Sequence, residues 1–239
     1  LYTDARLRDP TDPADFAYLT QVNQMEAIEL AARHHRACRP VTLGSLYWQL
    51  NDVWPAISWA SIDWFGRPKL LHHAARRFFA DTAIVAERTD RTRITLVADA
   101  LVPKAARWRL TVRDMAGATL STREEAATLP ANGVARVAEL DDAALFGTAP
   151  ANASYAVAEL LVDGRVISRD LVERLAPRQM AYPRPGLTTR WNGKSVTFTA
   201  TRLARAVMLD FGTLAAVSSD DGFDLLPGES ITVSVTSDQ

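Results

Sequence analysis

The chain has 239 residues, 48% of them hydrophobic and 23% charged, a composition that supports one to three compact folded units. Its 27 basic and 28 acidic residues leave a formal net charge of -1, which excludes a field built to gather nucleic acid or anionic membrane. A single cysteine, Cys38, rules out an internal disulfide, and no His/Cys spacing of a metal site occurs, so neither a metal nor another cofactor is expected.

No window reaches the roughly 20 apolar residues of a membrane span. The opening residues, LYTDARLRDP, have neither an initiator Met nor the layout of a signal peptide, so the chain is expected to start within a longer protein. Any targeting signal then lies outside it, and the compartment stays unknown. Arginine and alanine are plentiful and the lysines are only Lys69, Lys104 and Lys194, which points to a GC-rich bacterial source and so to a bacterial cytoplasm or periplasm.

In chain order, residues 1–11 read as a connector. A helix follows to about Arg36, with Asp12 as its cap, Pro13 at its first position and Asp15 in its first turn. Phe16, Leu19, Val22, Met25 and Ile28 form its apolar stripe. Glu26 and Glu29 lie one turn apart on it, but mid-helix carboxylates with nothing nearby to perturb them read as a solvated face rather than an acid-base pair. The pairs His34-His35 and His72-His73 point about 100° apart on a helix and cannot share a metal. Val41 to Trp48 reads as a strand, then comes a loop, then a helix begun by Pro68 with Leu71, Ala75 and Phe78 buried. Helix, strand, loop, helix is the pattern of an alternating α/β fold.

From about Thr82 the period changes to two. TAIVAE, RITLVAD, RWRLTVRD, VARVAEL and YAVAELLV read as strands, and Asp163-Gly164 as a hairpin turn, which together predict a β-sandwich. Residues 176–190 hold Pro177, Pro183 and Pro185 and read as a semi-rigid linker. Beyond it SVTFTA, RAVMLDF and ITVSVTS predict a second, smaller sandwich. The expected domains are therefore 1–80, 81–176 and 177–239.

The stretch from Gly44 to Lys69, GSLYWQLNDVWPAISWASIDWFGRPK, carries four of the six tryptophans: Trp48, Trp54, Trp59 and Trp64. Gln49, Asn51, Asp52 and Asp63 sit between them. Flat apolar faces beside short hydrogen-bonding groups suit a pyranose, which stacks its C–H face on indole and needs partners for its hydroxyls. The same tryptophans also suit core packing or a domain interface. Asp52 is the one carboxylate just beyond the strand tip and the best local acid-base candidate by position, yet a carboxylate in such a turn commonly braces backbone N–H groups.

GSLYWQLNDVWPAISWASIDWFGRPKLLHHAARRFF resembles the G-x-LYWQLND-x-WP-x-x-SW-x-S-x-D-x-x-GR-x-K-x-x-H-x-x-x-R signature of β-mannosidases of glycoside hydrolase family 2. The resemblance extends to TQVNQMEAIELAARHHR before it and SSDDGFDLLPGE after it. It implies a C-terminal fragment: the last part of a catalytic (β/α)8 barrel followed by two immunoglobulin-like antiparallel β-sandwiches. In such a barrel the loop after a strand belongs to the active-site face. The implied activity is retaining removal of terminal non-reducing β-D-mannose, with both catalytic glutamates upstream of this chain and none within it. Trp48, Asn51, Asp52 and Trp54 are the implied substrate-binding residues, Trp48 as the aromatic platform. Asp63, Arg67 and Lys69 are expected to brace the loop. The implied partners are a β-mannoside or manno-oligosaccharide and the upstream part of the same polypeptide. Two alternatives remain: a non-catalytic sandwich that binds carbohydrate or protein, and a β-galactosidase or β-glucuronidase of the same family, against which the QLND-x-WP run argues.

Overall fold

The computed structural model describes residues 6–237. The chain divides into two compact units, one built from residues 1–29, 46–76 and 182–239, the other from 30–45 and 77–181.

The second unit is an antiparallel sandwich. One sheet holds β1 (Thr82–Arg88), β2 (Thr92–Ala98) and β5 (Gly133–Leu140) in the order β1-β2-β5. The other holds β3 (Lys104–Asp114), β4 (Thr119–Leu129), β6 (Ser154–Val162) and β7 (Arg165–Glu173) in the order β4-β3-β6-β7. Alternate residues of β2, β3 and β6 face inward, so Ile94, Leu96, Trp108, Leu110, Val112, Ala158 and Leu160 close the core. A short helix, α3 (Asp142–Phe146), adds Leu145 and Phe146; Asp141 caps it by accepting the Ala144 N–H at 2.8 Å. Asp163 and Gly164 both have positive φ, as a two-residue hairpin between β6 and β7 requires.

The last turns of α1 (Pro13–Ala37) belong to this unit and bring two buried arginines. Arg33 donates to the carbonyls of Ile84 and Arg169, and Arg36 donates to the Phe78 carbonyl at 2.6 Å and to Asp99 at 3.2 Å. Burial holds the Arg36 pKa below its ordinary value, opposed by the Asp99 charge. The backbone N–H groups of Ile84 and Ala86 on edge strand β1 are taken by the side chains of Ser168 and Asp170.

The first unit contains the smaller sandwich. Strands β8 (Thr188–Asn192), β9 (Ser195–Thr199), β11 (Ala216–Ser218) and β13 (Ser230–Ser237) form a sheet in the order β11-β13-β9-β8. Opposite them β10 (Ala204–Val207) pairs with β12 (Phe223–Leu225). Phe198 and Phe223 meet edge to face in the core, with ring centroids 5.6 Å apart. The same unit includes the first part of α1, where Leu19, Val22 and Met25 are buried, and α2 (Leu70–Phe78) as far as Arg76, where Leu70, Leu71 and Ala74 are buried. The Asp12 carboxylate accepts the Asp15 N–H at 2.9 Å, which is the expected cap of α1.

Several expectations need correction. No barrel portion is evident among the described residues, and Val41–Trp48 is not a strand. A parallel strand takes its hydrogen bonds from parallel neighbours, and none runs beside this segment, so its alternating Leu46 and Trp48 face outward. Phe16 is exposed, the second helix starts at Leu70 instead of Pro68, and β8 begins inside the expected linker. Glu26 is not a solvated carboxylate, because it pairs with Arg6 at 3.2 Å and Arg205 at 3.4 Å.

The SSDDGFDLLPGE segment is structural. Asp221 accepts the Leu209 N–H at 3.0 Å, Asp224 accepts the Ala206 N–H at 2.8 Å, and Gly222 at φ +62 lies against Met25 of α1 and Leu70 of α2. A Cβ there would stand 2.9 Å from Met25 Sδ and 3.3 Å from Leu70 Cβ. Gly222→Ala therefore combines left-handed strain with overpacking and should cost about 2 to 3 kcal/mol in urea denaturation. Gly193→Ala, with φ +58 and nothing within 4 Å, should cost only about 1 kcal/mol. Equal losses would contradict this packing role.

Candidate functional site

Residues 44–69 form a loop that folds back on itself without becoming a sheet. The Asp52 N–H donates to the Ile62 carbonyl at 2.9 Å, the Ile62 N–H to the Leu50 carbonyl at 2.8 Å and the Lys69 N–H to the Ser61 carbonyl at 2.8 Å. Three strips of chain, near 50, 61 and 68, are thus laid side by side, with single bridges at Asn51–Ile62 and Ile62–Pro68. Ser61 is fully buried; its hydroxyl donates to the Leu50 carbonyl and receives the Tyr47 hydroxyl at 3.1 Å. From α1, Gln24 Nε2 donates to the Trp59 carbonyl at 2.6 Å, and Gln21 Oε1 accepts the Leu70 N–H at 3.2 Å.

Asp52 is turned inward and its side chain is only 3% exposed. One oxygen accepts from Lys69 Nζ at 2.8 Å and the other from the Ser58 hydroxyl, whose oxygen also receives the Ala60 N–H at 3.1 Å. The loop itself covers the carboxylate, with little protein beyond it. The Lys69 hydrogen bond, then that of Ser58, holds the Asp52 carboxyl below its usual value. Asp63 is committed in the same way: Oδ1 accepts the N–H groups of Phe65 and Arg67, and Oδ2 accepts Arg67 Nε at 2.8 Å. Asp63, Arg67 and Lys69 brace the loop, as expected of them.

The tryptophans face the other way. Trp48, Trp54, Trp59 and Trp64 are all exposed, Trp48 by 75%. Asn51 is also exposed, and its Nδ2 donates to the Asp52 carbonyl at 3.2 Å. The four expected site residues therefore separate into an outward set (Trp48, Asn51, Trp54) and one inward carboxylate (Asp52). A cleft of ≈ 590 Å³ in this unit is lined by none of them, but by Trp59, Ile57 and Asp63 of the loop and Thr20, Asn23 and Gln24 of α1, among others. Ser58, Gln21 and Gln24 escaped sequence reasoning, although two glutamines one turn apart beside an apolar stripe are a usable signal for helix-to-loop hydrogen bonds.

The histidines form no shared site. His34 Nδ1 meets Glu87, His72 Nδ1 lies 3.3 Å from the Ser61 hydroxyl, and His73 is buried. Among the described residues no group of three or more His, Cys, Asp or Glu is placed to hold a metal ion, and no helix is long and apolar enough to cross a membrane.

Because the Asp52 pKa is depressed in the fold, its contribution to stability is present above the unfolded value near 3.8 and is lost as pH falls through the lower folded value. Asp52→Asn should thus lower Tm at neutral pH, and its gap to wild type should close as the pH drops below 3.8 in calorimetric scans. A gap independent of pH would contradict the ion pair as its source.

Residues 90–177 match a family model described as a mannosidase Ig/CBM-like domain, and residues 182–239 match one described as an Ig-fold domain. The chain is similar to β-mannosidase B of Aspergillus niger, with 27% identity over 263 residues that span 98% of this chain and 30% of that protein. It is similar to the β-mannosidase of Mus musculus, with 44% identity over 86 residues, 31% of this chain and 10% of that protein. The crystal structure of a β-D-mannosidase from Dictyoglomus thermophilum superposes with a TM-score of 0.83 at 18% identity, covering 100% of this chain and 30% of that one. The exo-chitosanase CsxA of Amycolatopsis orientalis follows at 0.72 and 15%, covering 98% and 33%. At these identities the two structures establish the fold alone. Mammals and fungi among the curated relatives leave the bacterial source resting on composition only, and the chain spans 30% or less of their length. The two domain models lie in tandem, and the chain is similar along nearly its whole length to a fungal β-mannosidase.

Proposed function

We propose that these 239 residues are the C-terminal part of a retaining exo-β-mannosidase that removes terminal non-reducing β-D-mannose. They supply sugar-binding surface and leave the nucleophile and the acid/base to polypeptide outside them. Trp48 is the platform beneath the sugar, Trp54 and Asn51 flank it, and Asp52 holds the loop that carries them. The observation that carries this reading is the division of labour in the loop: both carboxylates are spent inward as hydrogen-bond acceptors while the indoles remain open.

Retaining hydrolysis needs two carboxyl groups roughly 5 to 5.5 Å apart, one of them protonated at the working pH. Asp52, held ionised by Lys69, suits neither the acid nor a free nucleophile. An indole under the ring suits an oxocarbenium-like transition state, whose spread positive charge meets the negative π face. The reading of a free-standing sandwich that binds carbohydrate gains nothing from the larger sandwich, because Trp108 and Tyr155 are buried there.

Two outcomes test the assignment. The chain alone should not hydrolyse an aryl β-mannoside above a buffer control; turnover abolished by Asp52→Asn would overturn it. In the complete enzyme, Trp48→Ala should lower kcat/KM by at least about thirtyfold with melting unchanged, the loss expected when a desolvated stacking contact worth about 2 to 4 kcal/mol is removed. Trp191→Ala, on β8 of the smaller sandwich, should leave kcat near wild type. Wild-type kinetics in a folded Trp48→Ala enzyme would remove Trp48 from the platform.

A further inference from the structure

We infer that Ser61, with Tyr47 and His72 bonded to its hydroxyl, is the positioning residue for Trp48; this rests on the reading of Trp48 as the sugar platform. Ser61 is fully buried, so its polar atoms need partners within the protein. A serine hydroxyl has one proton to give and two lone pairs to fill. The proton goes to the Leu50 carbonyl at 3.0 Å. One lone pair takes the Tyr47 hydroxyl at 3.1 Å, and the other faces His72 Nδ1 at 3.3 Å. With the serine proton already spent, the imidazole has to be the donor, which places a proton of His72 on Nδ1.

The backbone of Ser61 grips the same stretch a second time. Its N–H is shared between the carbonyls of Gln49 at 3.0 Å and Leu50 at 3.1 Å. Trp48 therefore sits between two tethered neighbours, Tyr47 held by its side chain and Gln49 by its carbonyl, and both tethers end on one serine. His72 belongs to α2, so the hydroxyl also joins this part of the loop to a helix. All of these contacts converge on a buried group within residues 47–72, and they hold whichever outer surfaces further polypeptide covers. An indole on a tethered backbone is already ordered when a sugar arrives, whereas ordering one freed residue costs a factor of roughly ten in rate. The tether thus bears on how well Trp48 meets the transition state, where a small misplacement is felt most.

The test is the kinetics of the complete enzyme on an aryl β-mannoside, with each variant made in the wild type and again in Trp48→Ala. Ser61→Ala should lower kcat/KM about tenfold and Tyr47→Phe about threefold, mostly in kcat, and neither should lower it further once the Trp48 indole is gone. His72→Ala should lose about threefold, and His72→Asn, which keeps an N–H donor, should recover most of that. A loss of folded protein would instead subtract the same fraction on both backgrounds. Val233→Ala, a cavity in the core of the smaller sandwich, is the control for stability and should leave kcat/KM near wild type below its melting temperature. If Ser61→Ala does not fold, Tyr47→Phe and the two His72 variants decide the matter. Losses that persist undiminished in Trp48→Ala overturn the positioning role. Wild-type kinetics in Ser61→Ala and Tyr47→Phe, with Trp48→Ala impaired, also overturn it but leave Trp48 as the platform. Wild-type kinetics in Trp48→Ala remove the platform and the positioning role together.

Discussion

The Asp52 carboxylate, held between the Lys69 ammonium and the Ser58 hydroxyl, closes a loop that has neither helix nor sheet to close it. Three distant points of residues 44–69 meet at that carboxylate. Breaking one partner of such a covered pair leaves the other charge without compensation, which is why the pair acts as a latch even where its net contribution to stability is modest. Everything outward depends on it. Trp54 and Trp59 lie between its two ends, and the hydrogen bond from Gln24 to Trp59 needs the turn at Ser58 in place.

The latch also decides what the loop can do chemically. A general acid must carry a proton at the working pH, which requires an apolar or like-charged setting. Asp52 has the opposite setting, and Asp63 is wrapped by Arg67 and two backbone N–H groups. Carboxylates used this way give geometry to neighbours. The open indoles beside them are the groups with binding capacity to spare.

The parts of the fold that were legible in the sequence are those whose signals are local. The Asp12 cap of α1, the Asp163-Gly164 hairpin and the apolar alternation of β2, β3 and β6 each follow from backbone preference or from one buried face. Strand β4 left no such trace, because TLSTREEAATL is exposed along nearly its whole length and pairs only with β3. Its polar, charged face is what an unpaired edge needs. The reading of Val41–Trp48 as a strand failed for the complementary reason, since an apolar run becomes a buried strand only beside other strands. At the site, residue types pointed to a sugar surface, but the inward turn of Asp52 depends on Lys69, seventeen residues on, and no spacing rule encodes that partnership.

The most direct measurement of the latch is a double-mutant cycle of Asp52→Asn and Lys69→Met, read by urea denaturation. Tryptophan fluorescence is the suitable probe, because Trp48, Trp54, Trp59, Trp64 and Trp191 all lie in the unit that contains the loop. The predicted result is a coupling of about 1 to 3 kcal/mol, with the double variant losing far less than the sum of the two single variants. Losses that add within about 0.5 kcal/mol would mean that the two residues do not act together, and the loop would have to be held by something other than this pair.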